Sequence, residues 1–253
     1  DFKRVSTVTP ALRANIAVIY LIGFFHSFML VVPIFVPLMQ GYGLSMSEVL
    51  QTQAVFALTV ALLEVPSGYI ADMWGRKRAI VLGSLLNGFA FLSLLYADSF
   101  ADFIVYEVII GIGVSLISGA DLALLYDSET WLMNNDNTSN TEARRSLSRL
   151  IAIEAGASGF AGILASMILL FSDMEALLWV QALVGFVPLV MSFWLTETPR
   201  PGLEVNHAGN ARQIFDLLLF DKPVVLWTTF AIIAFGLLGL YSFWLYQKYW
   251  ELA

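Results

Sequence analysis

Seven long apolar segments run through the chain, and their length constrains the fold more than any other feature. Crossing a hydrocarbon layer of ~30 Å takes ~20 helical residues at ~1.5 Å each. Backbone groups in lipid must bond one another, so these segments are predicted to be helices and not strands. We therefore predict an all-α integral membrane protein with seven transmembrane helices. The predicted spans are residues 15–38, 48–71, 79–97, 102–126, 147–171, 176–195 and 224–247.

Composition excludes a soluble fold and most kinds of chemistry. The 253 residues are 58% hydrophobic and 13% charged, whereas soluble domains are roughly 45–50% apolar and ~25% charged. The absence of cysteine rules out disulfides and thiolate metal sites, and His26 and His207 are the only imidazoles. The spans contain no paired nucleophile and base, so we expect neither an enzyme nor a cofactor or metal. We also expect no nucleic-acid partner.

The basic residues predict how the chain is oriented, because cytoplasmic loops carry an excess of lysine and arginine. With a cytoplasmic amino terminus, twelve basic residues fall on the cytoplasmic side and only Lys248 falls outside. The cytoplasmic set is Lys3, Arg4, Arg13, Arg76, Lys77, Arg78, Arg144, Arg145, Arg149, Arg200, Arg212 and Lys222.

The same pattern predicts how the chain is organised. Residues 1–14 form a cytoplasmic segment and residues 15–196 a six-helix domain. Residues 197–223 form a cytoplasmic loop, in which the amphipathic run 211–220 is typical of a helix lying along the membrane surface. Residues 224–253 contain the seventh transmembrane helix, the start of an incomplete carboxy-terminal domain.

A specific motif joins the second and third spans. Its six matching positions are Gly68, Asp72, Gly75, Arg76, Lys77 and Arg78. A small residue lets another helix approach, a glycine allows a tight reversal, and an arginine can hold a carboxylate in fixed geometry. The segment resembles the GxxxDxxGRKR signature of the major facilitator superfamily. That resemblance implies a cytoplasmic gate between two six-helix halves, which favours the outward-facing state when it is closed.

The end of the fourth span, residues 118–127, resembles a bacterial drug-exporter-like subgroup of that superfamily, which places the protein in the plasma (inner) membrane. The resemblance implies that Asp127 is the acid nearest Arg76 in the gate. Asp121 is a competing candidate, and an ordinary carboxylate at a helix end remains an alternative.

Two features depart from the family pattern. Many members carry an arginine four residues before a glycine on the fourth span, whereas this chain has Glu107 before Gly111. A proton-transfer role that depends on that arginine is therefore in doubt. The fifth span lacks the proline signature of drug/proton antiporters, and its glycines are expected to serve helix packing.

Charged groups at bilayer depth are costly, and they usually face a cavity and mark function. The acids Glu64, Glu107, Asp121 and Glu154 qualify. Glu64 lies ~12 Å above the cytoplasmic end of its helix and His26 lies ~16 Å into the first span, so the two are predicted to form a hydrogen-bonded pair. Our hypothesis is that this pair binds the coupling proton or a cationic group. The alternative is that Glu64 stabilises the inner gate by pairing with backbone or with Arg76.

The resemblance implies a secondary transporter that moves a small solute by alternating access. The resemblance to drug exporters implies efflux, and the spans, which are rich in acids and poor in bases, favour a proton as the coupling ion and a cationic solute. Family members have twelve spans, so the expected partners are membrane lipid and either a missing carboxy-terminal half or partner membrane subunits. The alternative function is a truncated subunit that scaffolds or regulates a larger complex without transporting.

Overall fold

The computed structural model describes residues 2–136, 140–199 and seven separate positions between 227 and 245. The chain divides into two compact units, residues 1–200 and 201–253, and the helices below belong to the first. A short 3-10 helix, Val32–Ile34, separates α1 from α2. The α-helices are α1 Phe2–Ser27, α2 Phe35–Gly41, α3 Met46–Trp74, α4 Arg76–Leu94, α5 Phe100–Asp136, α6 Asn140–Phe171, α7 Met174–Gly185 and α8 Val187–Ser192.

The prediction of an all-helical membrane protein is confirmed for the described residues. Six stretches in them are long and apolar enough to cross a bilayer. They are Val8–Gly41, Met46–Trp74, Arg76–Leu94, Phe100–Asn134, Arg145–Phe171 and Met174–Ser192. They correspond to the first six predicted spans. The predicted surface helix at 211–220 and most of the seventh span at 224–247 lie outside the described residues.

A local sequence signal explains where α3 begins, and α5 is longer than predicted. Ser45 caps α3 by accepting from the backbone N–H of Glu48, while the Glu48 carboxylate accepts from the Ser45 N–H at 2.7 Å. This reciprocal capping box leaves fewer unpaired N–H groups at the helix start. The α5 helix continues past its predicted membrane end at 126 to Asp136, so the chain just after the predicted fourth span is also helical.

The most extensive contact between helices in this unit is made by α4 and α5. A methyl group at Gly83 would lie 2.8 Å from the Gly113 carbonyl oxygen and 2.7 Å from the Ile117 side chain. Small residues let membrane helices approach to backbone contact, where van der Waals packing is most favourable. Gly83 and Gly113 therefore set the spacing of these two helices.

Two helices of the unit are open on one face. In the most apolar stretches of α3 and α6, 11% and 17% of the residues are buried, compared with 33–56% in the other four spans. Leu62 on α3 and Ile163 on α6 are each more than half exposed. No atom of the described residues lies within 4 Å of the side-chain positions at Gly156 and Gly159. Gly162 meets the Pro33 side chain at 3.9 Å. The helix packing predicted for the glycines of α6 is thus not formed at Gly156 and Gly159 by the described residues.

The glycine contact gives a test of this packing. Gly83→Ala should lower the melting temperature of the purified full-length protein, because overpacking typically costs ~1–3 kcal/mol and the atoms it meets include backbone. Gly159→Ala is the matched control, since its new methyl group meets nothing within 4 Å. Thermal unfolding in detergent measures both variants. Equal melting temperatures for the two would contradict the assignment.

Candidate functional site

The segment from Gly68 to Arg78 forms an abrupt turn between α3 and α4. Gly75 is the only residue between the two helices, and it adopts φ 107° and ψ 138°. A side chain is strained at positive φ, and one placed here would also lie 3.1 Å from a Glu197 carboxylate oxygen. Gly75 therefore allows both the reversal and the approach of Glu197.

Arg76 is the centre of the contacts at this end of the bundle, which we call the Gly75 end. Its Nη1 lies 2.5 Å from Asp127 Oδ2 on α5, and its Nη2 lies 3.3 Å from Asp72 Oδ1 on α3. The guanidinium also donates to the backbone carbonyl of Ala123. The Arg76 and Asp127 side chains are only 14% and 18% exposed. The Asp72 side chain is more exposed, at 46%. Together these charge-assisted contacts join α3, α4 and α5 in one geometry.

The amino terminus of α4 is capped by a residue 121 positions away in sequence. Gly75 has no side chain with which to cap the helix, and the Glu197 carboxylate accepts instead from the N–H groups of Arg76 at 3.0 Å and Lys77 at 2.9 Å. A carboxylate is favourable here because the start of a helix carries partial positive charge. Lys77 Nζ donates to the Phe193 carbonyl oxygen at 2.9 Å. The segment after α8 thus holds the turn in place.

Glu197 was missed from the sequence, where it is an ordinary acid in a loop. The one available signal was the glycine in the capping position of α4, which leaves the first N–H groups of the helix in need of an outside acceptor. Gly68, by contrast, meets nothing within 4 Å of its side-chain position. The close helix approach expected at Gly68 is therefore not made by the described residues.

A buried hydrogen-bond network supports the same end of the bundle. Asn15 on α1 donates to Ser128 Oγ on α5 at 3.2 Å and to the Thr196 carbonyl oxygen at 2.7 Å. It also accepts from the Thr196 N–H at 2.8 Å. Asn15 and Ser128 are fully buried, so these bonds replace lost water contacts. They attach the segment that carries Glu197 to α1 and α5.

The predicted pair between His26 and Glu64 is not formed. His26 Nδ1 lies 2.9 Å from Asn87 Nδ2 on α4, so the imidazole bonds an amide instead. Glu64 is exposed on α3, close to the exposed Leu62 and Val65. Depth along two helices was predicted from residue counts, but the direction in which each side chain points around its helix was not.

The other acids within the spans lie in two separate places. Glu107 on α5 is 3% exposed and accepts a hydrogen bond from Gln53 on α3. Asp121 on α5 is 4% exposed, accepts from the Leu122 N–H at 2.5 Å and has Glu154 of α6 as a charged neighbour. The structure thus assigns Asp127, and not Asp121, to the contact with Arg76, while Asp121 lies deeper in the bundle.

The polar groups form a series of three levels through the membrane domain. Distances along each helix follow from a rise of ~1.5 Å per residue. Measured in this way, Asp121 lies ~9 Å along α5 from Asp127, and Glu64 lies ~12 Å along α3 from Asp72. Asn87, with its partner His26, is eleven residues into α4, or ~16 Å. Glu107 and Gln53 lie near the opposite end, ~30 Å from Asp127. Polar side chains are therefore available at each depth of the bundle.

Comparison with known proteins finds a matching family model and several similar proteins. The family model described as Major Facilitator Superfamily matches residues 16–249. The inner membrane transport protein YajR of Escherichia coli strain K12 is 24% identical over 213 residues, which cover 82% of this chain and 44% of YajR. An uncharacterized transporter of Buchnera aphidicola subsp. Schizaphis graminum is 22% identical over 192 residues, 74% of this chain and 46% of that protein.

A third relative matches a shorter region. The methyl viologen resistance protein SmvA of Salmonella typhimurium is 32% identical over 81 residues, which cover 32% of this chain and 16% of SmvA. The chain spans less than half the length of each of these curated relatives.

The capping contact predicts a graded effect at position 197. Glu197→Ala should lower the free energy of unfolding by ~1.5–3 kcal/mol, because two N–H groups lose a charged acceptor. Glu197→Gln should cost less, since it keeps an oxygen acceptor but loses the charge. Glu175→Ala removes an exposed acid from the first turn of α7 and serves as control. Denaturation in mixed micelles measures all three, and equal effects at 197 and 175 would refute the capping role.

Proposed function

Because the chain belongs to the major facilitator superfamily, we propose that it forms part of a secondary transporter that expels a small solute by alternating access in exchange for protons. The observation that carries this proposal is the set of contacts around Arg76. They join three helices at one end of the bundle, while the faces of α3 and α6 remain open. A rigid domain with open faces is suited to rocking against a second domain.

In this proposal the Gly75 end is the cytoplasmic gate. The gate turn is held within its own domain by Glu197 and by the contact between Arg76 and Asp127. It can therefore present its exposed surface, including Asp72 and Trp74, to a second domain without changing shape. The amino terminus is then cytoplasmic, as the basic residues of the loops predict. The protein then resides in the inner membrane, as the resemblance to bacterial drug exporters implies.

The charge of the spans favours a cationic solute. No lysine or arginine occurs between Arg13 and Arg76 or between Arg78 and Arg144. The acids of those stretches that were placed at bilayer depth are Glu64, Glu107 and Asp121. Such a membrane interior attracts cations and protons. The name of SmvA records resistance to methyl viologen, which is a dication, and this supports efflux and a drug-exporter-like subgroup.

His26 and Asn87 offer a way to couple a proton to movement. In the present bond Asn87 Nδ2 donates to His26 Nδ1, so that nitrogen carries no proton. The amide oxygen of Asn87 is buried and has no hydrogen-bond partner among the described residues. Protonation of Nδ1 would require the amide to rotate and to offer this oxygen. Glu64 is exposed and accessible to solute or proton from the open face of α3.

The gate predicts a strong energetic coupling between its two charged side chains. In proteoliposomes of the full-length protein, Arg76→Gln and Asp127→Asn should each reduce methyl viologen uptake at least about tenfold, because each removes one side of a mostly buried ion pair. The double variant should lose less than the product of the single effects. Strictly multiplicative losses would contradict a shared gate contact.

The proton hypothesis predicts that Glu64 and His26 are needed for uptake driven by a proton gradient but not for solute exchange. With an acidic lumen driving methyl viologen uptake, Glu64→Gln and His26→Ala should abolish the response to the proton gradient, since each removes a titratable group. Exchange of labelled for unlabelled solute without a gradient should continue. Glu175→Gln, an exposed acid of α7, is the control. Gradient-driven uptake that is unchanged in both variants would contradict a role for Glu64 and His26 in proton coupling.

A further inference from the structure

A cavity of about 340 Å³ opens at the Gly75 end between α1, α5 and α6, away from the gate turn. Its lining includes Arg13 from α1, Glu129 from α5, and Arg145 and Arg149 from α6. Its volume is within the range of small-molecule sites, ~300–1,000 Å³. None of these residues takes part in the contacts described for the gate.

Three arginines converge on this space from two helices. Arg145 and Arg149 are four residues apart and so share one face of α6. Both are exposed, and neither forms an ion pair in the part of the chain that the structure describes. Like charges at this spacing are mutually destabilising. An anion bound between them would relieve that repulsion.

The one acid in the lining is turned towards a neighbouring hydroxyl. Glu129 is 3% exposed and accepts from Ser146 Oγ at 2.5 Å. The Tyr20 hydroxyl donates to the Ser146 carbonyl oxygen at 3.2 Å, which connects α1 to the same turn of α6. These bonds give the cavity a fixed polar wall. Three cations against one carboxylate leave the lining with a net positive charge.

We propose that this cavity binds a phosphate group, carried either by a phospholipid headgroup or by a water-soluble phosphate ester. Arginine pairs with phosphate through two parallel hydrogen bonds, which a lysine cannot match. Basic pockets between transmembrane helices are suited to anionic headgroups, and this cavity lies at the end of the bundle where headgroups are expected. A bound phosphate would join α1 to α6 beside the hydrogen bonds of Asn15. The proposal does not depend on transport.

The test measures binding to the delipidated full-length protein by native mass spectrometry. The probes are dioleoyl phosphatidylglycerol, dioleoylglycerol, which lacks the phosphate, and glycerol 3-phosphate, which lacks the acyl chains. Arg145→Gln combined with Arg149→Gln should weaken binding of the phosphate probes at least about tenfold, because charged hydrogen bonds are lost. Glu129→Gln should strengthen it several-fold by removing the opposing charge.

Arg78→Gln is the matched control, since Arg78 is exposed at the same end of the bundle but does not line the cavity. Its phosphate affinity should equal that of the unmodified protein. Binding of phosphatidylglycerol alone would identify a lipid headgroup, and equal binding of glycerol 3-phosphate would identify a soluble ester. The proposal is overturned if the double arginine variant binds both phosphate probes normally, or if dioleoylglycerol binds as tightly as phosphatidylglycerol.

Discussion

Lipid offers the backbone no hydrogen bonds, and this constraint governs both the helices and the places where they stop. Where the first span is interrupted after Ser27, the free N–H of Leu30 donates to the Gln181 side chain of α7 at 2.5 Å. Where α3 reverses into α4 at Gly75, the free N–H groups at the start of α4 donate to Glu197. Both of these breaks are matched by a polar side chain from a distant helix or loop, so they also connect the bundle.

Polar side chains inside the bundle follow the same logic. The pairs His26 with Asn87 and Glu107 with Gln53 each join two helices, and so reduce the cost of burying polar side chains. Arg76 does this at the Gly75 end for three helices together. The result is a domain whose helices are joined by polar contacts at several depths, while α3 and α6 are exposed on one face. Rigid-body rocking requires a domain that keeps its shape and has exposed faces that can contact a second domain.

Some parts of the site were accessible from sequence and others were not. The turn at Gly75 and the contact between Arg76 and a carboxylate follow from residue types at fixed local spacing. The choice between Asp127 and Asp121 was left open, because the two lie six residues apart on one helix and only a neighbouring helix decides which of them meets Arg76. The pairing of His26 with Glu64 was wrong for a related reason, since equal depth does not specify equal direction around the helix axis.

The sequence by itself determined six of the membrane helices, the motif at Gly75 and the family, because hydrophobic length and local spacing act within one segment at a time. The tertiary structure decided which polar groups meet: Glu197 with the start of α4, His26 with Asn87, and three arginines around one cavity. These arrangements bring together segments that lie from 61 to 136 positions apart, such as His26 with Asn87 and Arg13 with Arg149. Their geometry depends on how helices rotate and cross, which no local pattern encodes.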